Sequence, residues 1–166
     1  MKRFIHQRHK PPIQLSRPRE LIVALPPMRS SVNVSRIVRA AGCFGVCRVV
    51  ACGNVRLDPT ISRNAGDVVQ LDKHRSLEPV LKRLRSQDFQ LVGLEQTEGS
   101  TLLATFRFAR RSVLIVGHER LGLSQDILDL VDHVVEIPVY GQPPSHNAAT
   151  AAAIAMYEYC RQFPEG

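Results

Sequence analysis

The chain has no tryptophan, and aromatic residues make up 5% of its 166 positions. So few rings argue against a surface that holds nucleic acid by stacking base after base on aromatic faces. Long apolar runs are missing too: none reaches the roughly 18–20 residues of a membrane-crossing helix. The opening MKRFIHQRHKPPIQLSRPRE is basic without an apolar stretch and does not read as a secretory signal, so a cytoplasmic location is expected. Cys43, Cys47, Cys52 and Cys160 lack the paired CxxC spacing of a zinc site, and three of them lie in GCFGVCRVVACG, where cysteine serves as a small core residue. No metal is expected. The turn after the first apolar run, PPMRSS, holds no glycine that would let backbone approach a dinucleotide, and GxxxxGK[ST] is absent. No internal repeat is visible.

What is present fits one globular domain: 44% hydrophobic and 22% charged residues. The formal charge of +7 is concentrated at the start. Residues 1–19 carry six Lys/Arg and no acid, while the remainder holds 16 basic against 15 acidic residues. Residues 1–19, with Pro11, Pro12 and Pro18, therefore read as a flexible basic arm on a near-neutral domain spanning 20–166. Lys2, Arg3, Arg8 and Lys10 are its candidate contacts to a polyanion, nucleic acid first.

From Glu20 onward, short apolar runs alternate with amphipathic stretches. LIVAL (21–25), CRVVAC (47–52), DVVQL (67–71), LVGLE (91–95), VLIVG (113–117) and HVVEI (133–137) predict strands covered on both faces. Val34, Ile37, Val38 and Ala41 mark a helix stopped by Gly45; Leu77, Val80, Leu81 and Leu84 mark another, with Ser76 as its cap. Ser124 is expected to cap QDILDLV, and residues 147–162 form the last helix. The alternation predicts an α/β fold with a mostly parallel sheet flanked by helices.

Three stretches carry candidate chemistry. In SVNVSRIVRAAGCFG, Asn33 stands where its side chain could cap the helix, and Arg36 and Arg39 share a face suited to phosphate. VLIVGHERLGLSQDIL places Gly117, Glu119 and Gly122 after a strand, where parallel sheets bind ligands. PPSHNAATAAAIAMYEYCR follows VVEIPVYGQ and opens a helix built mostly of alanine. His74, His118 and His133 show no partner pattern.

The order of these motifs resembles the SpoU/TrmH family of RNA ribose 2′-O-methyltransferases, over residues 20–162. VGLEQTEGS and MYEYCRQ are most similar to its tRNA guanosine branch. The resemblance implies a SPOUT fold with a C-terminal deep trefoil knot, a homodimer, S-adenosylmethionine as cofactor and RNA (tRNA or rRNA) as substrate. It implies that Leu94, Gly117, Ile137, Ser145, His146 and Asn147 surround the cofactor. It further implies that Arg39 is catalytic, that Asn33 positions it, and that Glu119 and Asn147 complete the site. Small residues in the last helix would then permit close packing of threaded backbone. Two departures stand out: Ser35 replaces a common glycine, and Ser-His-Asn-Ala-Ala replaces Ser-Leu-Asn-Val-Ser. They keep open a second reading, a non-catalytic RNA-binding member, and a role for His146 in proton transfer.

Overall fold

A computed structural model describes residues 4–8 and 10–166. Seven strands form one sheet in the order β3-β2-β1-β6-β4-β7-β5, and every pairing is parallel. The strands are β1 (Leu21–Leu25), β2 (Arg48–Cys52), β3 (Gln70–His74), β4 (Gln90–Leu94), β5 (Thr101–Leu102), β6 (Ser112–Val116) and β7 (His133–Glu136). The helices are α1 (Ser31–Cys43), α2 (Pro59–Ser62), α3 (Ala65–Val68), α4 (Glu78–Arg85), α5 (Gln125–Leu128) and α6 (Ala148–Gln162).

Alternation along each strand divides the core into two layers. Leu21, Val23 and Leu25 of β1 pack with α1 and α6 residues such as Ile37, Val38, Ala152 and Met156. Ile22 and Ala24 point the other way, toward Leu77, Leu81 and Leu84 around α4 and Ile127 of α5. Burial on both faces is why β1 and β6 read as unbroken apolar runs: all five residues of each are buried.

Several local expectations change. The strand expected at 67–71 lies at Gln70–His74, and Ala65–Val68 is a turn of helix. β3 is an edge strand with partner β2 alone, so its QLDKH needs little apolar surface and hydrophobicity misplaced it. β5, two exposed residues, had no apolar signal. Ser76 does not cap α4; Leu77 holds the cap position and makes no side-chain bond there, with Pro in the first turn. Ser124 sits at the cap of α5 but its hydroxyl does not bond the helix, which is four residues long. Asn33 does not cap α1 either. Ser30 does, accepting from the Asn33 N–H at 3.2 Å, which frees the Asn33 amide for other partners. Gly45 ends α1 at φ 67°, a left-handed conformation that a Cβ disfavours.

α6 crosses the layer beside α1, burying Ala149, Ala152, Ala155, Met156 and Tyr159. Its far end is fixed by aromatics: the Tyr159 ring lies 4.8 Å from Phe163 and 5.7 Å from Phe108 between centroids. The Tyr159 hydroxyl donates to the Arg110 carbonyl at 2.6 Å. Burial pushes the phenol up to about 12. The segment before β1 joins this same end. Ser16 N–H donates to Glu165 O at 2.9 Å, and the Arg19 guanidinium bonds the carbonyls of Phe44 and Phe163.

Candidate functional site

β1 and β6 are neighbours, although residues 26–111 separate them in sequence. The loops leaving their C-terminal ends therefore meet. Glu119, in the loop after β6, accepts N–H groups of the loop after β1: Ser30 at 3.1 Å and Arg29 at 3.3 Å. It also accepts from the Asn33 amide at 3.2 Å. Asn33 Oδ1 in turn accepts from the Asn147 side chain, also at 3.2 Å. Asn147 Oδ1 caps α6, taking the N–H of Ala149 at 2.9 Å and of Thr150 at 3.3 Å.

A chain of polar contacts, Glu119–Asn33–Asn147, thus ties together three loops brought in by β1, β6 and α6. Desolvation works against the charge on Glu119, but the donated hydrogen bonds of its own backbone, Ser30, Asn33 and Arg29 outweigh it. Its carboxyl is held below the ordinary value. His118 Nε2 approaches the same carboxylate at 3.6 Å.

Beside this chain lies a cavity of about 500 Å³ at the C-terminal ends of β4, β6 and β7. Leu94, Gly117, Ile137, Ser145, His146 and Asn147 all line it, as does Glu119. Leu94, Val116 and Ile137 give it an apolar floor; Glu95 and Glu119 bring two carboxylates. Its volume falls within the ~300–1,000 Å³ usual for small-molecule sites. Apolar walls suit a flat heterocycle, and two carboxylates against one guanidinium, Arg120, leave a lining that suits a positive charge.

Glu95 was not anticipated. It directly follows β4, and Leu123 N–H donates to its Oε2 at 2.9 Å while Gln96 N–H donates to its Oε1 at 3.0 Å. The carboxylate fills the space beside Gly117 and Gly122: a Cβ at Gly122 would lie 2.2 Å from Oε2, and one at Gly117 2.8 Å. These two glycines exist to admit Glu95 and to carry the tight turn, closed by the paired His118 and Gly122 backbone bonds at 3.0 Å. The one sequence signal for Glu95 is its place just past a parallel strand, where ligands gather.

The remaining expected residues lie elsewhere. Arg36 and Arg39 are exposed on α1, and among the described residues Arg39 makes no hydrogen bond or ion pair with Asn33, Glu119 or Asn147. Arg8 and Lys10 are exposed; Lys2 and Arg3 lie outside the described residues. Ser35 is buried, donates to Ser31 O at 2.7 Å and accepts Asp58 N–H at 2.8 Å, so it fastens the loop before α2 to α1. His146 meets the Pro138 carbonyl at 3.4 Å. Among the described residues, no cluster of three or more His, Cys, Asp or Glu could hold a metal, and no helix is long and apolar enough to cross a membrane.

A parallel α/β sheet whose cavity is built by loops after its late strands, closed by the cap of the last helix, defines a class apart from proteins that bind behind the first strand. The chain belongs to the SpoU rRNA Methylase family, whose sequence profile matches residues 20–157. It is 27% identical over 146 residues to the tRNA (guanosine(18)-2′-O)-methyltransferase of Escherichia coli K12, covering 86% of this chain and 64% of that protein. It is 28% identical over 153 residues to the Aquifex aeolicus protein of the same name, covering 90% and 72%. The fold superposes on the A. aeolicus TrmH/SpoU tRNA modifying enzyme with TM-score 0.85 and 26% identity, over 91% of this chain and 79% of that one. Against the Streptomyces viridochromogenes methyltransferase AviRb in complex with AdoMet, the TM-score is 0.78 at 27% identity, over 90% and 63%. The chain thus spans about two thirds or less of the length of some of its relatives.

Proposed function

We propose that this chain carries an S-adenosylmethionine-dependent methyltransferase that modifies a ribose 2′-hydroxyl in tRNA, with guanosine the favoured nucleotide. The observation that carries this reading is the cavity at the ends of β4, β6 and β7 with Glu119–Asn33–Asn147 in and behind its wall. The similar tRNA (guanosine(18)-2′-O)-methyltransferases support the substrate, and the AdoMet complex of a structural neighbour supports the cofactor.

The residues present fit that cofactor. Leu94 and Ile137 would flank the adenine, the backbone around Gly117 and Ser145–Asn147 would hold polar edges, and Glu95 and Glu119 would favour its cationic centre. When bound, S-adenosylmethionine supplies an electrophilic methyl group on a sulfonium. Glu119 and Asn147 hold the loops from β6 and α6 so that the reacting groups meet in line. Arg39 carries a guanidinium, which keeps its proton in proteins and is therefore a poor base. It clamps the RNA phosphate and stabilises negative charge that develops on O2′ as its proton leaves through that phosphate.

Arg39 lies on the exposed face of α1, so the reading includes a homodimer that brings this arginine to a cavity at the subunit boundary. Exposed Val32 on α1 and Ile154 and Tyr157 on α6 provide apolar surface for the pairing. The C-terminal segment is read as threaded through the loop after β6 in a deep trefoil knot. Residues 20–166 form the methyltransferase domain. Residues 1–19 act as a phosphate-binding arm through Arg8 and Lys10, with Lys2 and Arg3 continuing it. The arm joins the domain at the start of β1, the opposite end of that strand from the edge where the cavity opens.

Arg39→Ala is the test. Methyl incorporation into an unmodified tRNA transcript should fall by at least about a hundredfold, at the level of a lost preorganised charge donor, with cofactor affinity by calorimetry unchanged. Substantial residual turnover removes Arg39 from the mechanism. RNA binding by a wild-type protein that shows no heat with the cofactor favours the non-catalytic reading instead.

A further inference from the structure

A second cavity, of about 310 Å³, opens at the C-terminal ends of β1 and β2. Met28, Val34, Ala51 and Val55 give it an apolar floor; Arg29, Asn54 and Arg56 stand at its rim. No Asp or Glu lines it, and among the described residues neither Arg29 nor Arg56 takes part in an ion pair. Burial pushes the Cys52 thiol in its wall up, so that group stays neutral and adds no negative charge. The first cavity carries two carboxylates, Glu95 and Glu119, against one guanidinium, Arg120; the second carries two guanidiniums and no acid. One suits a cation, the other an anion with a flat apolar face.

The two are joined. Glu119, which lines the first cavity, accepts the backbone N–H of Arg29, which lines the second. A ligand whose ribose sits in the first cavity therefore continues over the Arg29–Ser30 turn into the second, where Arg29 and Arg56 rather than Glu95 and Glu119 face its phosphate. Single-stranded RNA is bound by stacking splayed bases on aromatic rings or guanidinium planes while basic side chains meet the phosphates; the second cavity holds no aromatic ring, so its two guanidiniums are the planes it offers.

We propose that this second cavity seats the RNA nucleotide next to the methylated one, its base on Met28 and Val55 near the Asn54 amide, and its phosphates against Arg29 and Arg56. The proposal rests on the methyltransferase reading for which nucleotide lies alongside, but its binding test does not need turnover.

The probe is a fluorescently labelled, unmodified tRNA transcript, titrated with full-length protein across a salt series. Each lost phosphate contact lowers the slope of log affinity against log salt by about 0.7–0.9, so R29A/R56A should lower it by about 1.5 and weaken binding on the order of tenfold or more at 0.15 M salt. R29K/R56K should restore the slope and only part of the affinity, because an ammonium keeps the charge but not the planar fork. Calorimetry with S-adenosylmethionine should give the wild-type cofactor affinity for both variants, which reports an intact fold. Arg56 is outside the Glu119 network, so Arg56→Glu alone must also weaken RNA binding, and by more than Arg56→Ala. Wild-type slope and affinity in the double alanine variant, or in Arg56→Glu, overturn the proposal. A wild-type protein that transfers no methyl group, yet shows the arginine-dependent slope, overturns the enzymatic reading and leaves the seat standing.

Discussion

The two ends of α6 are built on opposite principles. At its start, Asn147 caps the helix and hands its amide to Asn33, and the residues turned inward are Ala149 and Ala152. At its finish, the inward residues are Met156 and Tyr159, and Tyr159 sits among Phe108 and Phe163 with its hydroxyl on a backbone carbonyl. The first end keeps backbones close and leaves a cavity beside them; the second fills its space with rings. Stability is concentrated where no chemistry is expected, and polar groups are concentrated where the cavity opens. Alanines in the first half cost little side-chain entropy and let α6 lie against α1 and the sheet, where a larger residue would force them apart.

The sharpest way to break this contrast is to empty the aromatic end. Tyr159→Ala should destabilise the fold by about 3–5 kcal/mol, as truncation of a large buried ring does, and equilibrium urea unfolding measures it. The folded fraction should keep its cofactor affinity, since Tyr159 is far along the helix from Asn147. Loss of cofactor binding in folded protein would mean the two ends are not independent. Next comes filling the small end. Ala152 is wholly buried, and Ala152→Leu should cost about 1–3 kcal/mol by overpacking, with a further loss of cofactor affinity as α6 shifts beside the cavity. Unfolding curves and calorimetry on the same protein separate the two effects.

The smallest effect concerns the charge at the polar end. The Glu119 carboxyl is lower in the folded state than its unfolded value near 4.3, so between the two values the unfolded chain binds more protons. Its contribution is complete above about pH 4.3 and fades as pH falls through the folded pKa. Glu119→Gln should therefore flatten the acid limb of stability against pH while leaving the slope above pH 5 as it was, within the ~5–8 range where stability is greatest. An identical acid limb in wild type and variant would show that the hydrogen bonds to Glu119 do not favour its charge.

Much was legible in the sequence because the signals are local. Strands buried on both faces announce themselves as apolar runs, and α1 and α6 as periodic faces; those features survive in β1, β2, β4, β6 and β7. The family resemblance also picked out six residues that line the larger cavity, and they meet there because loops after parallel strands converge on one edge of a sheet. Where local signals were weak, the sequence misled. β3 and β5 lie at the two edges and need few apolar residues, and the caps of α1 and α4 fell to Ser30 and Leu77 rather than to Asn33 and Ser76.

By itself, then, the sequence determined the α/β alternation, the concentration of basic charge at the start, and several residues that line the larger cavity. Only the tertiary structure decided what those residues touch. Asn33 bonds Glu119 across 86 positions and Asn147 across 114, and Glu95 packs beneath Gly117 and Gly122. The reason is that hydrophobic pattern is written in neighbouring residues, whereas these contacts depend on strand order. They form because β6 is inserted between β1 and β4, and loops that are distant along the chain leave the sheet side by side.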